Sequence, residues 1–413
     1  MKKLILLLLV FSLSFTFSGC MGKGVELKDL TVVQGIGVDK KEDELSISIQ
    51  VFDPAKASGS ANELSGNLTK VLNSQGKSIY ETIYKSSVQI GGEPFTSQNR
   101  IIVLGEDLVK EDIKEIMDYF FRNHKTRINV VIAIAKGEAK EILQSDTGEA
   151  LIPAEDVVKL IESSEENLIA PKTDVLSVLR PMKEIGGDFY ITALKIKEEE
   201  QKQGEQEQGG SGGGEKQGEG SGGGANGGQE QEKKDVVTDG VGVFKENKLI
   251  GYLDEDESKG LLWITGKVNG GVLVSQTEEV GQISTEIIDV VPKMQFSIED
   301  NIPICSIKIS CFLSADEIQG NEENFTLETL ESVEKQIGDN IKEKIEKTIK
   351  KCVQDYNVDI FRLNDYVRNY NPGLYKQVKG TWHDYIKNIQ FKTDISVQIT
   401  RVGERVIERN NRQ

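Results

Sequence analysis

The stretch VVTDGVGVFKENKLIGYLDEDESKGLLWITGKVNGG, Val236 to Gly271, decides how the chain is read. Val241 and Val243 lead into a turn at Glu246-Asn247, and Leu249-Ile250 follow, which is the pattern of a β-hairpin. The acids of LDEDESKG (Leu253–Gly260) then read as a solvated helix start capped by Asp254 or Asp256. A calcium loop is excluded by position. Counted from Asp254, the places that an EF-hand fills with Gly and Glu hold Lys259 and Thr265. Short helices set among strands predict an α+β fold of several domains, with mixed or antiparallel sheets, rather than a regularly wound sheet.

Immediately upstream, Glu198 to Lys234 is built almost wholly of Gly, Gln, Glu, Ser and Lys, with no apolar anchor. Such a composition predicts a disordered, flexible linker. It divides the chain into an N-terminal α+β region, 20–197, and a C-terminal α+β domain, 235–413. Within it Gly209–Gly213 matches G-x-S-x-G, but no strand precedes it and no helix follows to strain the serine outward, so the match is chance.

Further toward the N-terminus, Leu30–Phe52 reads as two strands around a charged turn, with Leu45, Ile47, Ile49 and Val51 on one face. Gly35-Ile-Gly37 is not a dinucleotide loop, because the third glycine is missing and the segment runs into a turn and a strand. Ser58–Leu72 reads as a polar loop and Ile79–Val88 as a helix. A strand at Arg100–Gly105 is followed by an amphipathic helix from Asp107 to Phe121, with Ile113, Ile116, Met117, Phe120 and Phe121 on its apolar face. Asn129–Ala135 and Asp188–Ile196 are further strands, with helices near 138–145 and 154–164 between them.

Downstream, strands are expected at 272–276, 283–291 and 304–312, then one long helix over about 326–356. Its apolar positions mostly recur every four residues, so the stripe turns by about 200° between Val333 and Val353. The two ends of this helix must therefore meet different neighbours. A terminal strand over Phe391–Gly403 closes the sheet.

The first residues, MKKLILLLLVFSLSFTFSGC, have a basic start and an apolar run too short to span a bilayer, which takes about 20 residues. Residues 1–19 read as a secretory signal peptide. The run stops at Phe17-Ser18-Gly19-Cys20, which is similar to the lipobox of bacterial lipoproteins and makes Cys20 the lipidated residue. A plain secreted protein with a stray cysteine is the alternative. Losing residues 1–19 removes two lysines, moving the formal charge from −17 to −19. That charge argues against nucleic acid as a partner and leaves the anchoring to lipid.

Cys305 and Cys311 alternate with polar residues in ICSIKISCF (Ile304–Phe312) and lie about 20 Å apart along one strand, too far to bridge. Cys352 could pair with either, or all three are small core residues. His124 and His383 are the only histidines, so neither a metal site nor a histidine-based nucleophile set is expected, and no cofactor is implied. Three residues stand out as interaction candidates: Glu257 at the helix start, and the two tryptophans, Trp263 and Trp382.

Taken in order, these features resemble the GerAC-type C subunits of bacterial spore germinant receptors. The likeness is carried by Val243-Phe244, Gly251, Leu253, Glu257, Gly260-Leu261 and Trp263, with Cys20, GIGVD (Gly35–Asp39) and RIIVLGEDL (Arg100–Leu108) before them. DIFRLNDYVRNYNP (Asp359–Pro372) and Trp382 follow. The chain departs from the pattern at Phe17, in its long linker, and at Arg362-Leu363-Asn364, where relatives are richer in glycine. The resemblance implies a non-enzymatic lipoprotein on the outer face of the spore inner membrane, held by Cys20 beside integral membrane A-type and B-type subunits. A solute-binding lipoprotein of a transport system is the alternative function. A surface hydrolase would lack its nucleophile.

Overall fold

The computed structural model describes residues 30–53, 68–123, 125–145, 152–184, 186–197, 235–277, 281–300, 302–320, 326–403 and 405–406. The signal-peptide segment, Cys20, His124 and the linker over 198–234 lie outside these residues. The fold is α+β and holds two sheets.

The first sheet has nine strands in the order β3-β2-β1-β5-β6-β7-β8-β9, with β4 paired to β1. β1 (Leu30–Lys41) and β2 (Glu44–Phe52) form the hairpin read from the sequence, and β3 (Thr69–Gly76) adds to its edge. β3 overlaps the expected polar loop at Ser58–Leu72, whose first part is outside the described residues. β4 (Glu93–Phe95) pairs in parallel with the start of β1. β5 (Ile101–Gly105), β6 (Val131–Ala135) and β7 (Phe189–Ile196) run parallel beside β1, and all five residues of β5 and of β6 are buried. Helices on both faces account for those continuous apolar runs.

The GIGVD motif is a packing device in β1. A Cβ on Gly35 would stand 2.7 Å from Leu143 Cδ2, so the glycines let the helix Ala139–Gln144 settle directly on the strand. Asp39 then accepts from the backbone N–H groups of Ala139 (2.7 Å) and Lys140 (3.1 Å), capping that helix.

β8 (Val236–Lys245) and β9 (Lys248–Leu253) complete the same sheet. β7 and β8 pair antiparallel, from Phe189 opposite Phe244 to Ile196 opposite Val236. The expected division at 198–234 therefore separates stretches of sequence, not sheets. The backbone N–H of Lys197 donates to Asp235 O at 2.7 Å, so the long insert joins two strands that are already neighbours. A hairpin is a cheap place for such an insert, since each doubling of loop length costs only about 0.6 kcal/mol. Glu246 and Asn247 turn β8 into β9 with φ of 48° and 67°, a primed turn in which Asn is favoured.

The amphipathic helix expected over Asp107–Phe121 is two helices, Glu106–Val109 and Lys114–Arg122. Phe121 lies off the core face and is 46% exposed, with Lys183 Nζ 3.5 Å above its ring.

The second sheet runs β10-β11-β12-β13-β14. β10 (Val272–Thr277) forms one edge, and β11 (Gly281–Glu299) with β12 (Ile302–Gly320) makes a long hairpin. β13 (Gln390–Val402) lies parallel to β12, and β14 (Arg405–Val406) ends the sheet. Cys305 and Cys311 point inward from β12, and Cys352 lies in the same core; all three are free and buried. Burial pushes the thiols of Cys305 and Cys311 up to about 12.

The long helix Leu327–Ile349 begins at a Thr326 capping box and widens into a π-helical stretch over Lys350–Tyr356. Its drifting stripe meets two neighbours, as the spacing requires. Gly338 faces Ile395 and Val397 of β13, whereas its last turns pack on the helix Glu255–Thr265. That second contact depends on Gly260, whose Cβ would stand 2.1 Å from Thr348 Oγ1 and 2.3 Å from the Lys344 carbonyl oxygen. Gly260→Ala should destabilise the protein by on the order of 1–3 kcal/mol, because one of the clashing atoms is backbone. Gly380→Ala, with nothing within 4 Å of its Cβ, is the control and should leave the melting temperature nearly unchanged.

Candidate functional site

Two loops from distant parts of the chain meet between the sheets. The first is Lys183 to Tyr190, which enters β7 through Gly186, Gly187 and Asp188. The second is Asp359 to Arg362, which leads into the helix Leu363–Tyr370. Trp382 and His383 come from a short helix just beyond.

Asp359 is the centre of the junction. It is 2% exposed, and its carboxyl accepts from Leu363 N at 2.8 Å, Asn364 N at 2.8 Å and Trp382 Nε1 at 3.0 Å. The first two contacts satisfy orphan donors at the start of a helix. Asp359's own N–H donates to Asp188 Oδ2 at 2.8 Å, and the same oxygen lies 2.8 Å from His383 Nε2. The N-terminal and C-terminal stretches are thus joined through buried polar contacts. Burial pushes the Asp359 carboxyl up to about 6, outweighing the hydrogen bonds from Asn364 and Leu363 that favour its anion.

The first loop fits only because it carries glycines. Gly186 has φ of +67°, and a Cβ there would lie 2.8 Å from Trp382 Cδ1. At Gly187 a Cβ would fall 1.8 Å from the Pro181 carbonyl oxygen. Arg362 also has a left-handed backbone, with φ of +61°, which suits glycine better than arginine. Its guanidinium pairs with Asp365 and lies 3.7 Å from Glu184, while Arg368 reaches the same two acids at 2.6 and 3.7 Å. These pairs give the arginine at this strained position a partner on each side of the junction.

A cleft of about 530 Å3 opens beside the clasp. Arg180, Asp188 and Tyr190 line it from the N-terminal part, and Lys267, Arg362 and Tyr366 from the C-terminal part. Its lining mixes cations and carboxylates, Asp365 among them, with tyrosine rings and apolar side chains such as Phe189 and Ile264. Among the described residues no group of three or more His, Cys, Asp and Glu is placed to hold a metal ion.

The three residues singled out from the sequence lie elsewhere or serve otherwise. Glu257 was expected on the surface but is 7% exposed. It sits at the third helical position of a capping box, its N–H donating to Asp254 Oδ1 at 2.8 Å and its Oε2 accepting from Asp254 N at 2.9 Å. Trp263 is buried in the core of the second sheet. Trp382 alone belongs to the junction, where it is buried and donates inward to Asp359. Asp188, Gly186 and His383 were not foreseen as a group. The available signal was a lone Asp following two glycines at the mouth of an apolar strand.

Two family models cover these same stretches. The "Spore germination protein N-terminal domain" matches residues 23–196, and "Spore germination B3/ GerAC like, C-terminal" matches 239–403. The chain belongs to the GerAC family of germinant receptor C subunits. Similar GerAC relatives include spore germination protein B3 of Bacillus subtilis (strain 168), 25% identical over 391 residues, covering 92% of each chain. Spore germination protein YndF of the same organism is 24% identical over 97% of each. The crystal structure of the GerBC protein superposes with a TM-score of 0.51 at 20% identity, over 88% of this chain and 96% of that one, and shares the fold. The two GerAC matches flank the insert, with Asp188 in the first and Asp359, Trp382 and His383 in the second.

The raised Asp359 carboxyl gives a pH prediction. A folded-state pKa of about 6, above an ordinary carboxyl near 3.9, makes its stabilising contribution fullest at low pH and lost as pH rises through 6. Asp359→Asn removes that titration and gives one of three donors an ill-matched amide. The variant should melt lower than wild type, and the gap should narrow between about pH 4 and pH 6, the interval between the unfolded and folded values. Thermal melts across that range check the sign.

Proposed function

We propose that this chain is a non-enzymatic, lipid-anchored C subunit of a nutrient germinant receptor, required for receptor assembly or signalling. In this reading Cys20 carries the lipid on the outer face of the spore inner membrane. The folded body then stands beside integral membrane A-type and B-type subunits. No helix among the described residues is long and apolar enough to cross a membrane. In this reading the lipid on Cys20 supplies the attachment.

The observation that carries the reading is the junction itself. A clasp of Asp359, Asp188, Trp382 and His383 joins the two family-matched stretches, with a cleft lined by residues of both at their seam. Stretches joined in this way can pass a displacement at one surface to another, which suits an assembly or signalling subunit. The transport reading is not favoured: a solute-binding lipoprotein usually has two wound lobes that close about a hinge, whereas here one nine-stranded sheet runs through the seam.

Spores lacking this protein should lose germination in response to some nutrients. Wild type should restore the response, and Cys20→Ala should restore it poorly. A normal response to every nutrient in the deletion strain, with impaired uptake of one of them, would turn the assignment toward transport.

A further inference from the structure

The helix Ile79–Ile90 buries Ile79, Thr82, Ile83 and Ser86 against the first sheet. Its other side presents Tyr80, Tyr84 and Val88, which are 71%, 69% and 83% exposed. The four-residue spacing stacks these side chains in one row along the helix. Two bare tyrosines and a valine in line are unusual for a solvated face, whose outer positions are ordinarily polar.

The direction of the row connects it to the anchor. The helix leaves β3 beside the β1–β2 turn and ends at Gly91, where the chain enters β4. β4 lies against the first residues of β1, with Glu93 opposite Leu30 and Phe95 opposite Val32. The Val88 end of the row therefore lies on the edge of the fold where Leu30 emerges. Cys20 is ten residues before Leu30, a span of at most about 35 Å when fully extended. A lipid on Cys20 would hold this edge of the first sheet within that span of the bilayer.

The charge of the face fits as well. The chain is strongly acidic overall, but this helix carries Glu81 paired with Lys85 at 2.7 Å, and Lys77 just before it. The row is thus spared the repulsion from an anionic leaflet that most of the surface would meet. Tyrosine is suited to the membrane interface, where its ring reaches the acyl boundary and its hydroxyl stays hydrated.

We propose that Tyr80, Tyr84 and Val88 rest in the headgroup region of the bilayer and form a second, weaker membrane contact that orients the lipid-held body. This inference rests on the lipid-anchor reading of Cys20, and its test is arranged to be independent of that reading. The chain from Cys20 onward would be coupled chemically through the Cys20 thiol to a maleimide lipid in phosphatidylcholine vesicles. The remaining cysteines are buried and do not compete. Val88→Trp supplies a reporter, since Trp263 and Trp382 are buried and out of reach of the lipid.

With brominated acyl chains in the vesicles, the V88W emission should fall about twofold relative to unbrominated lipid, and wild-type emission should barely change. Adding Tyr80→Ser and Tyr84→Ser should remove most of that quenching. Unchanged V88W emission in the tethered protein would overturn the inference. So would quenching that disappears in membranes containing the integral receptor subunits, since the row would then be a protein contact. Natural lipidation is read separately, from the mass of the N-terminal peptide of membrane-extracted protein. Absence of the lipid there would refute the anchor without touching the vesicle result.

Discussion

A carboxyl group withdrawn from water must be met by donors, and Asp359 is met on every side. Two of its donors are the first free N–H groups of the helix Leu363–Tyr370, and the third is the indole of Trp382. Its own N–H is taken by Asp188, more than 170 positions earlier in the chain. Each contact fixes something larger. The helix start is fixed by the carboxyl, the tryptophan by its N–H, and the mouth of β7 by Asp188. Losing one partner leaves the others buried and unmatched, which costs more than an ordinary hydrogen bond contributes.

The same economy explains the glycines and the unusual arginine around the clasp. Gly186 and Gly187 let backbone lie where side chains would collide with Trp382 and with the Pro181 carbonyl. Arg362 takes a left-handed backbone that glycine would adopt without strain. Its ion pairs with Asp365 and Glu184 are only partly buried, so they contribute modestly and act as a rim around the buried contacts.

Much of the fold was legible because local patterns were strong. The alternation in β2 and β12, the primed turn at Glu246-Asn247 and the drift of the long helix stripe all translate directly into structure. What composition could not tell was which elements lie side by side. The polar insert marks a real break in sequence, but β7 and β8 pair across it, because pairing depends on strand edges rather than on the length of chain between them. Glu257 was misjudged for a related reason: an acid at a helix start is usually wet, and only the packing of the long helix against this turn buries it. The junction was the least legible part. Asp188 and Asp359 are ordinary acids in sequence, and their significance comes wholly from long-range contact.

The central claim is that the two family-matched stretches form one body with the seam at the clasp. It is tested most directly by cutting the chain inside the insert, at a protease recognition sequence placed between Gly213 and Gly214, and then following the two fragments. The account predicts that they stay together through size-exclusion chromatography and unfold in a single transition, near that of the uncut protein. Fragments that separate in native buffer, or that melt in two independent steps, would contradict it.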